Sequence, residues 1–254
     1  MDNLNNIVLL IDADNTQISK LEGVIKEVST HGRIVVKRAY GNWKKDTLKN
    51  WENELKRLAI KAEQQFDYVA GKNATDMALV IDAINLLHKE IYDAFVIVAS
   101  DSDYTPLAIN LHESGVYVMG VGEKKTPESF RNSCDEFVFL ENISKSTDEK
   151  KSAVGSLNDN EKGARNIQEE NENMEVVHIL LKEAFDKYQN DDGYVNVGAA
   201  GAFIKRVKPD FDVRTYGYVK LPKLIEDFPE KYEMKKYPGK GTVTIVAYRC
   251  KESE

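Results

Sequence analysis

Two unbroken apolar runs in this chain each stop at a group of aspartates. Residues 7–11 (IVLLI) are followed by Asp12-Ala13-Asp14-Asn15, and residues 95–99 (FVIVA) are followed by Ser100-Asp101-Ser102-Asp103. Apolar runs without polar alternation are typical of parallel strands that are buried on both faces. Because open α/β sheets bind ligands at the carboxyl ends of their strands, these aspartates are placed to form a site.

The first 140 or so residues alternate between strand-like and helix-like patterns. Strand patterns occur at residues 7–11, 33–40, 66–70, 95–99, 116–121 and 137–140, with helical patterns between them, among them 47–64 and 75–89. This alternation predicts an α/β domain with a mostly parallel sheet flanked by helices. The expected strand order, 3-2-1-4-5, places the first strand beside the fourth.

The helix that follows residue 74 would bring a further carboxylate, Asp76, to the same edge of the sheet. Thr75 is the expected N-cap of this helix. Its expected buried face consists of Met77, Val80, Ile81, Ile84 and Leu87.

The predicted fold makes four carboxylates converge: Asp12, Asp76, Asp101 and Asp103. Any one of them alone is more typical of a helix cap than of a ligand, but capping does not explain their convergence. Packed carboxylates repel unless they are protonated or bridged by a cation, so the cluster favours a hard divalent metal. Asp14 could share the site or cap the next helix, whereas Asp82 is expected to be a structural hydrogen-bonding residue.

Two chemistries use such a cluster. Metal ions held by carboxylates activate water against a phosphodiester, or one aspartate attacks a phosphoryl group itself. The string Asp12-Ala13-Asp14-Asn15-Thr16 resembles the DxDxT signature of haloacid-dehalogenase-like phosphatases. That fold also requires a Ser or Thr at the end of its second strand, where this chain reads Tyr40-Gly41-Asn42. The phosphatase is therefore the alternative interpretation.

Three short motifs, in order along the chain, carry a more extensive resemblance. Asp12-x-x-Asn15, Lys72 with Asp76, and Ser100-Asp101-Ser102-Asp103-Tyr104 with Pro106-Leu107 resemble the NYN family of PIN-like ribonucleases, over about residues 4–140. The resemblance implies a metal-dependent endoribonuclease that leaves a 5′-phosphate and a 3′-hydroxyl. It implies Mg²⁺ or Mn²⁺ held by the catalytic residues Asp12, Asp76, Asp101 and Asp103, with Asn15 assisting.

Basic and aromatic residues are interleaved around the second strand and the helix after it. Such a mixture suits single-stranded RNA, because cations meet phosphates and rings stack on bases. The predicted RNA contacts here are Trp43 and Lys44, and Lys72 of the motif with Asp76 is a further predicted RNA contact. Trp51 instead lies at helical spacing with Leu48 and Leu55, and is expected in the core. The alternative for the lysines is an ordinary solvated helix face.

The composition changes after the first 142 residues. Residues 144–172 are rich in Ser, Asn, Asp, Glu and Lys and contain no aromatic residue, which is typical of a solvated linker. The chain is therefore divided into a nuclease-like domain (1–142), a flexible linker (143–174) and a second domain (175–254). The second domain shows three helical patterns, at 175–188, 197–207 and 219–227, and two strand patterns, at 232–236 and 242–249. This order predicts a small winged-helix α+β domain.

Residues 214–225 (RTYGYVKLPKLI) resemble the LOTUS (OST-HTH) domain. That family is a winged helix that binds RNA and, in some proteins, a protein partner. Its RNA contacts would include Arg214, Lys220 and Lys223. Ordinary solvated side chains are the alternative for each of them.

Charge and composition bound the remaining possibilities. The formal net charge is −7, and the acid is concentrated in residues 1–142, where 16 Lys and Arg stand against 22 Asp and Glu. Two distant cysteines, no long apolar stretch and no basic-then-apolar start predict a cytoplasmic protein that does not engage membranes. The expected partner is RNA, single-stranded or structured, with the oligomeric state left open. A non-catalytic RNA-binding adaptor is a third hypothesis.

Overall fold

The computed structural model describes the chain over residues 4–67, 73–143, 163–239 and 244–251, with side chains described from residue 174 onward in the third range. The chain divides into two compact units, Met1–Lys151 and Ser152–Glu254. Each unit has its own hydrophobic core.

The first unit is built on a single six-stranded sheet. Its strands are β1 (Leu4–Asp12), β2 (Gly32–Gly41), β3 (Lys61–Gln64), β4 (Ala94–Val98), β5 (Tyr117–Gly122) and β6 (Glu136–Phe139). Their order is β3-β2-β1-β4-β5-β6, and every neighbouring pair is parallel. The predicted α/β class is confirmed, and β1 lies beside β4 with Ile11 opposite Val98.

The helices that cover the two faces of this sheet include α1 (Leu21–Ser29), α2 (Trp51–Leu58), α3 (Ala74–Leu87), α4 (Thr105–Glu113) and α5 (Glu128–Asn132). Alternate residues of β1 belong to different cores, because successive side chains of a strand point to opposite faces. Leu9 packs in the core that includes α1 and α2. Leu10 packs in the core that includes α3, α4 and α5. Asp12, two residues after Leu10, therefore lies on the side of α3 and α4.

The predictions of a helix over 47–64 and a strand over 66–70 were wrong at their common boundary. Helix α2 ends at Leu58, and Ala59 follows it in the left-handed conformation with φ of 50°. The third strand is Lys61–Gln64, and it pairs only with β2. Its residues are mostly exposed and polar, so this edge strand produces no apolar run. Phe66 lies just beyond it, and residues 68–70 are outside the described part of the chain.

Helix α3 forms where it was predicted, but its buried face is rotated from the predicted one: Val80, Ile84 and Leu87 are only partly buried against the core. Its buried residues are Thr75, Leu79, Ala83 and Leu86. Two residues of the predicted face, Met77 and Ile81, are each 56% exposed. Apolar residues surround most of this helix, and such a pattern does not fix which side faces the sheet. Thr75 is not the N-cap, since the helix begins at Ala74.

The described residues of the second unit form three α-helices and a small antiparallel sheet, as predicted. The helices are α6 (Gly163–Tyr188), α7 (Val197–Val207) and α8 (Leu221–Glu226), and the strands are β7 (Val195–Asn196), β8 (Tyr232–Pro238) and β9 (Thr244–Cys250). The sheet order is β7-β9-β8. Pro222 lies in the first turn of α8, where its missing N–H leaves no helical bond unmade.

The structure describes residues at both ends of the segment predicted as a linker. Ile143 is 3% exposed and belongs to the core of the first unit. Helix α6 begins at Gly163 rather than near residue 175. Residues 144–162 lie outside the described part, so the linker and its boundaries stay a prediction. Among the described helices, none combines the length and apolar character that crossing a membrane requires.

Candidate active site

Asp12 lies at the carboxyl end of β1 and is fully buried. One oxygen accepts the backbone N–H of Asp14 at 3.1 Å, and the other accepts Nδ2 of Asn15 at 2.9 Å. The pKa of Asp12 is raised to about 6, because burial and the nearby charge of Asp76 outweigh the hydrogen bond from Asn15, which lowers it. The first predicted site residue is thus a buried carboxylate held in one orientation.

Tyr104 joins this carboxylate to the next one. Its side chain is fully buried at the end of a 3₁₀ turn, Ser102–Tyr104, that follows β4. The hydroxyl donates to Oδ1 of Asp76 at 2.8 Å and lies 3.2 Å from Oδ2 of Asp12. Burial and the two negative charges raise the pKa of this phenol, so its proton is retained. From the sequence alone Tyr104 was assigned no role, although it directly follows the second aspartate group.

The other carboxylates surround this pair. Asp76 lies in the first turn of α3, and its pKa is raised by burial and then by the charges of Asp101 and Asp103. Asp101 accepts the backbone N–H of Asp103 at 3.0 Å. Nδ2 of Asn73, at the start of α3, donates to Asp103 at 2.7 Å. The structure therefore brings the four predicted aspartates into one neighbourhood.

The contacts of Asp14 decide whether it shares the site or caps the next helix. Thr75 donates its hydroxyl proton to Oδ2 of Asp14 at 3.0 Å. Nζ of Lys45 lies 3.3 Å from both carboxylate oxygens. No side-chain capping bond starts the next turns, residues 18–20 and α1. Asp14 therefore faces the site and links it to α3 and to the loop after β2.

The donor chemistry of this neighbourhood fits a hard divalent cation. The acidic groups that converge are carboxylates, whose oxygens Mg²⁺ and Mn²⁺ prefer as ligands. The raised pKa values of Asp12 and Asp76 reflect burial and repulsion that a cation would offset. Over the ranges that the structure describes, however, no three carboxylate, imidazole or thiolate groups are already placed to hold one ion.

Asp82 is a structural residue, as expected from its place on α3. It accepts a hydrogen bond from Nη1 of Arg38 at 2.6 Å and another from the hydroxyl of Tyr40. Arg38 and Tyr40 both belong to β2. These bonds connect β2 to α3, the helix that carries Asp76.

The predicted RNA contacts of the first unit lie in different settings. Trp43 is half-buried, packs 6.0 Å from the ring of Trp51, and donates its indole N–H to the carbonyl of Glu63 at 3.1 Å. Trp51 is in the core, as predicted. Lys44 lies over the ring of Phe66, while Lys72 is outside the described residues.

The predicted RNA contacts of the second unit lie near the start of α8. Arg214 is held by Asp212, with Nε 2.9 Å and Nη2 2.8 Å from the same carboxylate oxygen. Lys220 is exposed at the N-cap of α8. Lys223, on the first turn, pairs with Glu226 at 2.6 Å. Lys220 and Lys223 thus reach solvent from one short helix.

The family comparison decides between the interpretations of the acidic cluster. The NYN domain profile matches residues 6–141, which is more than half of the chain. The chain belongs to the NYN family. NYN domains are PIN-like nucleases, so the match selects this interpretation over a haloacid-dehalogenase-like phosphatase. An OST-HTH/LOTUS domain matches residues 171–244 of the NYN protein, and domains of that family bind RNA.

Comparisons with individual proteins give only distant similarity. No curated protein matches the chain. A crystal structure of VPA0982, a protein of unknown function from Vibrio parahaemolyticus, is 16% identical with a TM-score of 0.47, over 56% of this chain and 97% of that one. A solution structure of an uncharacterized protein from Nitrosomonas europaea (locus NE0665) is 26% identical with a TM-score of 0.28, over 30% of this chain and 74% of that one.

Proposed function

We propose that this NYN protein is a metal-dependent endoribonuclease that hydrolyses single-stranded RNA. The observation that carries the proposal is the convergence of Asp12 and Asp76 on the hydroxyl of Tyr104, with Asp101 and Asp103 close enough to raise the pKa of Asp76. A structural ion-pair network would place cations among these groups. Among the described residues, the donors bonded to these carboxylates are instead neutral, apart from Lys45 at Asp14.

Mg²⁺ or Mn²⁺ would be held by Asp12, Asp76, Asp101 and Asp103, and would supply a Lewis acid that activates water against the phosphodiester. Asn15 fixes the orientation of Asp12 through its 2.9 Å bond. Asn73 fixes Asp103 through its bond of 2.7 Å. Tyr104 keeps its proton and sets the separation of Asp12 and Asp76. The products would carry a 5′-phosphate and a 3′-hydroxyl.

The C-terminal domain would supply affinity for RNA that the acidic domain lacks. Residues 1–142 carry a surplus of acid, whereas residues 175–254 contain 14 Lys and Arg against 13 Asp and Glu. A negative field opposes phosphate binding, so recruitment by a second domain increases the local concentration of RNA. Lys220 and Lys223 would contact the backbone of the RNA, and recruitment of a protein partner is the second use of this domain.

The experiment is incubation of the full chain with a labelled single-stranded RNA and Mn²⁺, Mg²⁺ or EDTA. Internal cleavage is expected with either metal and not with EDTA. Asp12→Asn and Asp101→Asn should each abolish cleavage, while Asp46→Asn, which alters an exposed carboxylate outside the cluster, should retain it. Activity in EDTA, or full activity in both site variants, would contradict the proposal.

A non-catalytic RNA-binding adaptor is the second candidate. It draws support from one observation: over the described residues no three carboxylates are already arranged around a single ion position. Binding of RNA without cleavage in either metal, unchanged by Asp12→Asn, would favour this candidate.

A further inference from the structure

The loop after β2 and the segment after β3 form a rim beside the acidic cluster. We define the rim as residues 42–45 and 65–67. The backbone N–H of Gln65 donates to the carbonyl of Gly41 at 3.1 Å, and Nδ2 of Asn42 donates to Asp67 at 3.2 Å. These bonds fix the two segments of the rim against each other.

Lys45 connects the rim to the site itself. Its ammonium group lies 3.4 Å from Asp67 and 3.3 Å from Asp14. Asp14 is two residues from the buried Asp12 and accepts a bond from Thr75 at the start of α3. The rim is therefore adjacent to the carboxylate cluster, and its position relative to the cluster is set by charged contacts.

The rim presents one aromatic ring to solvent. Phe66 is 51% exposed, although the apolar surface of a Phe side chain normally favours burial. The other aromatic side chain of the rim, Trp43, is half-buried and its N–H is already used. The more exposed aromatic ring of the rim is therefore that of Phe66.

A positive charge accompanies this ring. Nζ of Lys44 lies 5.1 Å from the ring centroid. An exposed ring with a lysine beside it suits one nucleotide of a single strand, because the base stacks on the ring and the phosphate meets the cation. In an acidic domain, the rim is one place where both contacts are available within a few residues.

We propose that Phe66 and Lys44 form a nucleotide subsite beside the acidic cluster, where Phe66 stacks on one base of single-stranded RNA. The inference deepens the proposed function and rests on it, since it assumes that the strand lies across this edge of the sheet. The ring would hold one base outside the cluster and so align the neighbouring phosphodiester with the carboxylates. Base stacking tolerates every base, so the subsite would favour unpaired RNA without strong sequence preference.

Binding is tested with the full chain carrying Asp12→Asn, which prevents cleavage, and a short RNA containing 2-aminopurine at successive positions. At one position the fluorescence should be quenched on binding, because the base stacks. Phe66→Ala should remove the quenching and weaken binding about tenfold. Phe66→Trp and Phe66→Tyr should keep the quenching, while Phe66→Leu should not restore it. Ile91→Ala, which trims another exposed apolar side chain, is the matched control and should change neither quantity.

Two results would overturn the subsite: unchanged quenching in Phe66→Ala, or full restoration by Phe66→Leu. Cleavage kinetics with Mn²⁺ separate this failure from failure of the proposed function. If the chain with Asp12 intact cleaves RNA and Phe66→Ala leaves KM unaltered, the nuclease stands and the subsite is rejected. If RNA is never cleaved but Phe66-dependent quenching is observed, the subsite stands and the nuclease is rejected.

Discussion

The hydroxyl of Tyr104 donates a 2.8 Å hydrogen bond to Oδ1 of Asp76 and so joins the segment after β4 to the first turn of α3. A phenol has one proton to donate. Here that proton is hydrogen-bonded to a carboxylate in a site where several carboxylates repel one another. The bond therefore holds two elements together at the point where like charges would push them apart.

The first prediction concerns this bond. Tyr104→Phe should lower kcat/KM for RNA by roughly tenfold and raise the Mn²⁺ concentration needed for half-maximal cleavage, because the loss of a buried donor frees Asp76 to move. The free energy of unfolding should fall by about 1 kcal/mol. Both are measured on the purified variant, by metal titration and by urea denaturation.

Tyr117→Phe is the matched control. Tyr117 begins β5 and donates to Glu136 at 2.8 Å. Its removal should cost similar stability without changing the metal requirement. Equal effects of the two substitutions on cleavage would show that Tyr104 acts through general stability alone.

The second prediction follows from the raised pKa of Asp12. Burial raises this pKa from 3.8 to about 6. Between these values the folded chain keeps a proton that the unfolded chain has released, so metal-free stability falls as pH rises through this window. Asp12→Asn removes the charge and should stabilise the metal-free protein above pH about 6 by up to about 3 kcal/mol.

The stabilisation by Asp12→Asn should disappear below pH about 4, where Asp12 is protonated in both the folded and the unfolded chain. Melting temperatures of the two proteins in EDTA, across this pH range, provide the measurement. Asp46→Asn alters a carboxylate with 86% of its side chain exposed, and it should change the melting temperature little at any pH. If the melting temperatures of Asp12→Asn and the parent protein differ by the same amount at every pH, the raised pKa of Asp12 is not the cause of the stabilisation.

The third prediction concerns the contact between β2 and α3. Asp82→Ala should lower the free energy of unfolding by about 2 kcal/mol, because the hydroxyl of Tyr40, a residue 1% exposed, loses its acceptor. Asp82→Asn keeps an acceptor oxygen and should cost less. Urea denaturation checks the order. If Asp82→Ala unfolds like the parent protein, the contact contributes no stability.

The fourth prediction concerns the C-terminal domain. In the full chain carrying Asp12→Asn, Lys220→Glu with Lys223→Glu should weaken RNA binding. The slope of log affinity against log salt should become shallower by about one unit for each phosphate that is no longer bound. Lys182→Glu, on the exposed side of α6, is the control. Unchanged affinity at low salt in the double variant would instead favour a protein partner for this domain.

The buried strands were the most predictable part of the fold. Residues 7–11 and 95–99 have no polar residue to interrupt them, and they form the central pair of the sheet. The edge strand Lys61–Gln64 was missed because a strand with one neighbour and exposed polar side chains has no apolar signature. The strand was predicted instead just beyond it, at the residues that begin with the aromatic Phe66.

Within the site, the aspartates could be anticipated because each follows the end of a strand or begins a helix. Their partners could not be anticipated in the same way. Tyr104 and Thr75 act through hydroxyl groups whose direction depends on how α3 meets the turn after β4. The rotation of α3 about its own axis was also predicted wrongly, since Met77 and Ile81 are as apolar as the residues that the helix buries. Only packing against the sheet decides which side of the helix is buried.

The position of β1 in the middle of the sheet has a consequence for synthesis. β1 leaves the ribosome before any other strand of its sheet, yet its partner β4 begins at Ala94. Until that strand emerges, the run of five apolar residues starting at Ile7 lacks half of its backbone pairing. A nascent chain of this length exposes an apolar, β-branched segment of a kind that aggregates readily. Chaperone demand should therefore be greatest after β1 has been made and before β4 emerges, and should fall once β4 is available.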